Sequence, residues 1–304
     1  MSGTTESLRR KIGGAGDLQS VVRSMKALAA SSIGQYEKAV SSLDDYYRTV
    51  ELGLAACLRG TALPPKVEAV SSPLPARLRA TSILPKIGAI VFGSDQGLVG
   101  RFNEVLVEFT LRTLGARPGK TTKIWAVGDR IHALMADASP VQATLLSVPA
   151  SVNAITPLVG RILIEIETAR EKGEVTEIHV FHNHPKSAAV YEPVGRRLLP
   201  LDRAWRSKLT ALPWPTKSLP EIIGSAAPAL QAFIRGYLFV LLFQACAESL
   251  ASENASRLAA MQRAERNIED ILEKLNRSFH RIRQESIDEE LFDVISGYEA
   301  LTKK

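Results

Sequence analysis

LASENASRLAAMQRAERNIEDILEKLNRSFHRIRQ, residues 250–284, contains neither proline nor glycine. Leu258, Met261, Ile268, Leu272, Leu275, Phe279 and Ile282 keep three- and four-residue spacing with one gap of seven, which draws an apolar stripe along a helix. No proline follows Pro228, so the predicted helix extends over 229–299. At 1.5 Å per residue, ~70 residues reach about 105 Å, far beyond a small globular domain. A helix of that length needs a companion to cover its stripe.

The companion lies at the opposite end of the chain. Residues 1–58 also lack proline. Ala15, Val22, Ala29, Tyr36, Leu43 and Val50 recur every seven positions, and Leu18, Met25, Ser32, Ala39 and Tyr46 form a second series three residues later. This alternation is the seam of a coiled coil. Gly13, Gly14 and Gly16 weaken the first turns, each by about 1 kcal/mol against alanine. No other segment sustains a heptad pattern, so the two ends are expected to pair as a long antiparallel coiled coil.

Between them the texture changes twice. Pro64, Pro65, Pro73, Pro75 and Pro85 mark residues 59–85 as an irregular linker. From Lys86 onward, short apolar runs alternate with helical stretches: IGAIVF (87–92), KIWAV (123–127), VQATLLSV (141–148) and EIHVFH (177–182) against helices at 103–114, 129–137 and 153–171. That rhythm predicts an α/β insert with a parallel, Rossmann-like sheet, and RRLLPL (196–201) reads as a last edge strand. The expected organisation is a coiled-coil helix over 1–58, a linker over 59–85, an α/β globular domain over 86–205 and a coiled-coil helix over 206–304.

Composition narrows the function classes. The chain has 304 residues, 45% hydrophobic and 23% charged, and a net charge of +6. Such mild basicity suits an anionic protein surface, and with no aromatic RNA-binding motif or basic block it predicts no nucleic-acid partner. Cys57 and Cys246 stand far apart with no CxxC, which argues against a disulfide framework or a cysteine metal site. The first residues lack an apolar signal core. The longest apolar run, YLFVLLF (237–243), is well short of the ~20 residues of a membrane-spanning helix. A peripheral protein of a reducing compartment is expected.

Three stretches look like chemistry. FHNHPKS (181–187) carries the His-x-His-Pro core that JAMM-type zinc hydrolases use. That family needs an aspartate three residues after a serine, and Ser187 is followed by Ala188, Ala189 and Val190. His182 and His184 are therefore expected as exposed imidazoles at a strand end, with a zinc-dependent hydrolase as the alternative function. GARPGKT (115–121) has three residues between its glycines, not the four of a phosphate-binding loop, and lies in helix-to-strand rather than strand-to-helix order. GSDQGLVG (93–100) follows a strand, but its glycine spacing is not that of a dinucleotide site, and a tight strand-to-helix turn is the expected reading. No catalytic residue, cofactor site or metal site is predicted.

SLRRKI (7–12), LQSVVRSMKALAASS (18–32), SDQGLVGRFN (94–103) and LASENASRLAAMQRAERNIEDILEKLNRSFHRIRQESIDEELFDVISG (250–297) together resemble the gamma subunit of F-type ATP synthases. The resemblance covers both coiled-coil arms and the first strand-turn of the insert, in the order that family has them. It implies a non-catalytic rotor shaft, coupling transmembrane ion flow to ATP synthesis or hydrolysis on the beta subunits. The implied partners are the alpha and beta subunits, the epsilon subunit and the membrane c-ring, at the cytoplasmic face of a bacterial plasma membrane. A free-standing coiled-coil adaptor is the other alternative.

Carried over by motif, Met25 and Lys26 fall in the segment near the beta lever. Arg257 and Met261 match the Arg and Met after the family's ASE motif. Arg283, Gln284, Ser286 and Glu290 match the segment that meets beta's catch loop. Basic Arg9, Arg10, Lys11, Arg23 and Lys26 suit an acidic lever. Lys26 stands where the family usually has Glu, Val99 and Arg101 depart from its GLCG turn, and Ser218-Leu219-Pro220 departs from its Tyr-Glu-Pro. Together with the HNHP stretch, these departures point to a divergent branch, such as the alternative sodium-associated bacterial enzymes.

Overall fold

The computed structural model describes residues 2–60, 85–117, 120–186, 190–218, 220–222 and 224–302. Most of the proline-rich segment expected as a linker lies outside them. The chain divides into two compact units: residues 1–30 with 257–304, and residues 31–256.

The first unit is a pair of helices, formed by the start of α1 (Ser2–Ser41) and the end of α7 (Ala226–Thr302). Gln19 Nε2 donates to Glu269, while Arg23 Nε and Lys26 Nζ donate to Glu265. Rising numbers on one helix meet falling numbers on the other, so the pair is antiparallel. The predicted seam is the covered face: Ala15, Val22 and Met25 are partly buried, Ala29 is buried, and Met261, Ile268, Leu272, Leu275, Phe279 and Ile282 are shielded in turn. Leu18 departs from it at 59% exposure, with Gln19 partly buried in its place. From Ile287 to Ser296 every position of α7 is exposed. The register agrees with this: with Gln19 against Glu269 and Arg23 against Glu265, the first described turn of α1 falls level with the turn of α7 before Ile287.

The expected single N-terminal helix is broken at Ser42–Leu43, and α2 (Asp44–Gly60) follows. The local sequence SSLDD supplies the cause. Ser41 and Ser42 hydroxyls donate back to the carbonyls of Lys38 and Ala39, competing with the helical ladder. Leu43 and Val50 nevertheless keep their inward places.

The second unit is built on a five-stranded sheet in the order β3-β2-β1-β4-β5, with β1 Lys86–Phe92, β2 Lys120–Val127, β3 Ala143–Leu146, β4 Glu177–Lys186 and β5 Val190–Leu199. The first four strands are parallel, as the alternating pattern predicts. β5 is antiparallel to β4, so the sheet is mixed rather than wholly parallel. Strands three residues apart in sequence can pair only as a hairpin, whereas parallel pairing needs a crossover of a dozen residues or more.

Helices cover both faces. Ile87, Ala89 and Val91 pack with Leu106 and Val107 of α3 (Phe102–Gly115) and Ile131 and Met135 of α4 (Asp129–Ala138). Ile90 and Phe92 point the other way, into a core with α5 (Val152–Glu171), α2 and α7. The YLFVLLF run belongs to that core: Tyr237, Leu238 and Val240 through Phe243 are all buried. By length and composition alone α7 could cross a membrane, and 39% of its most apolar window is buried in the protein, the YLFVLLF run chief among it.

A short helix that the pattern did not predict, α6 (Arg203–Thr210), is capped by Asp202, whose side chain accepts from Trp205 N at 2.8 Å. Arg59 of α2 donates to the Thr210 carbonyl at the other end of α6.

Candidate functional site

The sheet order reverses between β1 and β4, and the crevice beyond those strand ends is where α/β folds hold nucleotides. Here it is filled. Gly93 allows the turn to close on α4, since an added Cβ would stand 2.3 Å from Ile131 Cβ. Asn103, at the start of α3, accepts from Ser94 N at 3.1 Å and donates to Ser94 Oγ at 2.8 Å. The polar stretch of α7 then seals the strand ends: Ser249 donates to the Phe92 carbonyl, Ser252 to Asn183 and Ser256 to Val99. Ser94, Asn103, Asn183, Ser249, Ser252 and Ser256 are buried. The GSDQGLVG turn is thus a packing device, as expected.

Of the residues carried over by motif, those near the lever segment share one level of the helix pair. Lys26 Nζ lies 2.5 Å from Glu265 Oε2 and Arg23 Nε 3.0 Å from Oε1, and the hydrogen bonds from Lys26 and then Arg23 hold the Glu265 carboxyl below its usual range. Two of the basic residues expected to face an acidic partner are therefore engaged within the chain. Arg9, Arg10 and Lys11 are exposed. Met25 is partly buried, Arg257 likewise, and Met261 is buried against the seam. Arg283, Gln284 and Glu290 are exposed and Ser286 partly so. Some twenty residues separate this second group from Met261, so it lies roughly 30 Å farther along the helix.

The histidines differ from expectation. β4 does not end at His182 but continues to Lys186, paired with β5. Alternation along the strand turns His182 and His184 to the same face. His182 is buried, with 8% exposure, not an open imidazole. Both rings meet Glu248 of α7: His182 Nε2 is 2.8 Å and His184 Nδ1 2.9 Å from Oε2, while Gln244 Nε2 donates to Oε1 at 2.8 Å. Burial pushes the Glu248 carboxyl up, but the hydrogen bonds from His182, His184 and Gln244 outweigh it and hold the group down at about 2. Glu248 lies 64 residues from His184, so no local motif announces it. Its place immediately before Ser249, the first of the serines that seal the strand ends, was the available signal.

A family model described as ATP synthase matches residues 4–301. The chain belongs to the gamma-subunit family of F-type ATP synthases. It is 28% identical over 310 residues to the ATP synthase gamma chain of Frankia casuarinae, covering 99% of each chain. It is also 28% identical over 301 residues to that of Arthrobacter sp. (strain FB24), covering 96% of each. Among solved structures it is similar to the mitochondrial ATP synthase rotor of Euglena gracilis, with a TM-score of 0.64 at 15% identity, covering 94% of this chain and all of that one (100%). The central stalk and c-ring structure from Tetrahymena thermophila gives a TM-score of 0.55 at 19% identity, with 80% and 99% covered. A zinc-dependent hydrolase or a free-standing adaptor finds no support in these matches. The gamma fold is also visible in the molecule itself, as an antiparallel helix pair made from the two ends of one chain with the sheet unit inserted between them in sequence.

Proposed function

We propose that the chain is the central rotor shaft of a rotary F-type ATP synthase, a non-catalytic subunit that couples transmembrane ion flow to ATP synthesis or hydrolysis on the beta subunits. The antiparallel winding of the chain's two ends carries this reading. A helix pair with a continuous apolar seam resists twisting and bending, as transmitting torque requires. Its faces are unlike, and only a difference in contact energy can bias three otherwise equivalent catalytic subunits toward different states. The filled switch-point crevice fits a subunit that binds no nucleotide of its own.

The alpha and beta subunits would surround the helix pair, touching Met25, Lys26, Arg257 and Met261 at one level and Arg283, Gln284, Ser286 and Glu290 at the other. The c-ring and the epsilon subunit complete the assembly, at the cytoplasmic face of a bacterial plasma membrane. The two gamma chains compared by sequence above, from Frankia and Arthrobacter, are bacterial, which supports that setting. Reconstitution with alpha and beta subunits tests the proposal. The chain should co-purify with them and raise their ATP hydrolysis; a mixture in which it neither assembles nor stimulates refutes it.

A further inference from the structure

The His182–His184–Glu248 cluster plays no part in the rotor reading. One ligand atom from each residue lies within 4.8 Å of the others. We infer that these residues form a binding site for a zinc-class divalent cation that staples α7 to β4. The donor set decides the class: two imidazole nitrogens and one carboxylate oxygen suit Zn²⁺ or Co²⁺, whereas Mg²⁺ and Ca²⁺ take oxygen ligands.

The spacing agrees. Ligands at about 2.0–2.1 Å from a tetrahedral ion stand roughly 3.3 Å apart. His182 Nε2 and His184 Nδ1 are 2.8 and 2.9 Å from Glu248 Oε2, and all three ligand atoms lie within 4.8 Å of one another, a span that a tetrahedral ion could close by small side-chain movements. In its absence each ring fills the gap by hydrogen bonding to the same oxygen.

Two further observations point to a ligand. His182 is more than nine-tenths buried and aimed into the cluster, and its Nδ1 has no hydrogen-bond partner among the described residues. A ring nitrogen's proton is fixed by the bond its twin makes. In the ion-free site Nε2–H donates to Glu248, and the unpartnered Nδ1 can take the proton when Nε2 turns to a cation. Gln244 meanwhile holds Oε1 and leaves Oε2 for the metal, the outer support that ligating carboxylates commonly have. His184 is 45% exposed at its side chain, which provides a way in from solvent and an open coordination position for water. Because the ligands come from a strand and a helix, the bound ion would tie the polar stretch of α7 to the sheet. This inference does not depend on the rotor reading.

The test uses the full chain, stripped with chelator and titrated with Co²⁺ and Zn²⁺. One Co²⁺ per chain should bind with the visible absorption of a tetrahedral N/O site, and Zn²⁺ should displace it and raise the thermal midpoint. His184→Gln, at a partly exposed position, should fold normally, bind at least about tenfold more weakly and lose the thermal shift. Glu248→Gln should do the same, and His184→Gln decides alone if that variant does not fold. Absence of saturable one-to-one binding, or unchanged affinity in His184→Gln, overturns the site.

Discussion

Lys26 shows how far a single position can be read. Its lysine stands where the resemblance leads one to expect a glutamate, a reversal of charge at that level of the helix pair. In the structure the reversal is answered within the chain by Glu265. Lys26→Glu should therefore set two carboxylates against each other and lower the thermal midpoint of helix-pair unfolding, and adding Glu265→Lys should restore it. Circular dichroism on the wild type and the two variants checks this. The pair also has a pH signature. The Glu265 carboxyl is held below its usual range by Lys26 and Arg23, so its stabilisation is present above the unfolded-state value and fades as pH falls through the folded one. Acidification below the ordinary carboxylate range should loosen the wild-type pair more than Glu265→Gln. Neither Glu265 nor Glu248 was legible as a partner in the sequence, because both contacts depend on which residues of distant segments meet. The histidine motif drew attention to the right strand, but to local neighbours rather than to α7.

At the scale of elements, periodicity predicts the major helices and where strands fall along the chain, since burial on a helix stripe or on both sheet faces leaves a regular trace. Its failures have local physical causes. Serine hydroxyls break α1 from α2 inside an unbroken heptad, and α6 is too short to show a period. β5 pairs antiparallel to β4, and no apolar alternation in the sequence records strand direction. Gly128 illustrates a constraint that pattern alone does not disclose. It follows β2 with φ +118°, and a Cβ there would lie 2.6 Å from the Ser94 carbonyl oxygen. Gly128→Ala should cost about 2–3 kcal/mol or more, measured by denaturant unfolding. Leu242, fully buried in α7, should lose about 2–5 kcal/mol on truncation to alanine in the same assay.

For the molecule as a whole, the pairing of the ends was readable because two sustained heptad patterns in one chain have few other ways to be covered. The partner surface proposed at Arg283, Gln284 and Glu290 rests on family motifs alone, because these exposed residues look like any solvated helix face. Their test belongs to the assembled enzyme. Gln284→Leu removes a side chain able to make and break hydrogen bonds of about 1–3 kcal/mol with a neighbour as the shaft turns. Coupled ATP synthesis should fall several-fold while the subunit's thermal midpoint stays unchanged. The last turns of α7 carry another implication. Ile287, Leu291, Phe292, Val294, Ile295 and Tyr298 are all exposed beyond the point where α1 gives out. The isolated chain thus carries an adhesive tip. Before assembly it should cluster with its own kind, so that sedimentation quickens with concentration and slows again when Phe292 and Val294 are both replaced by serine.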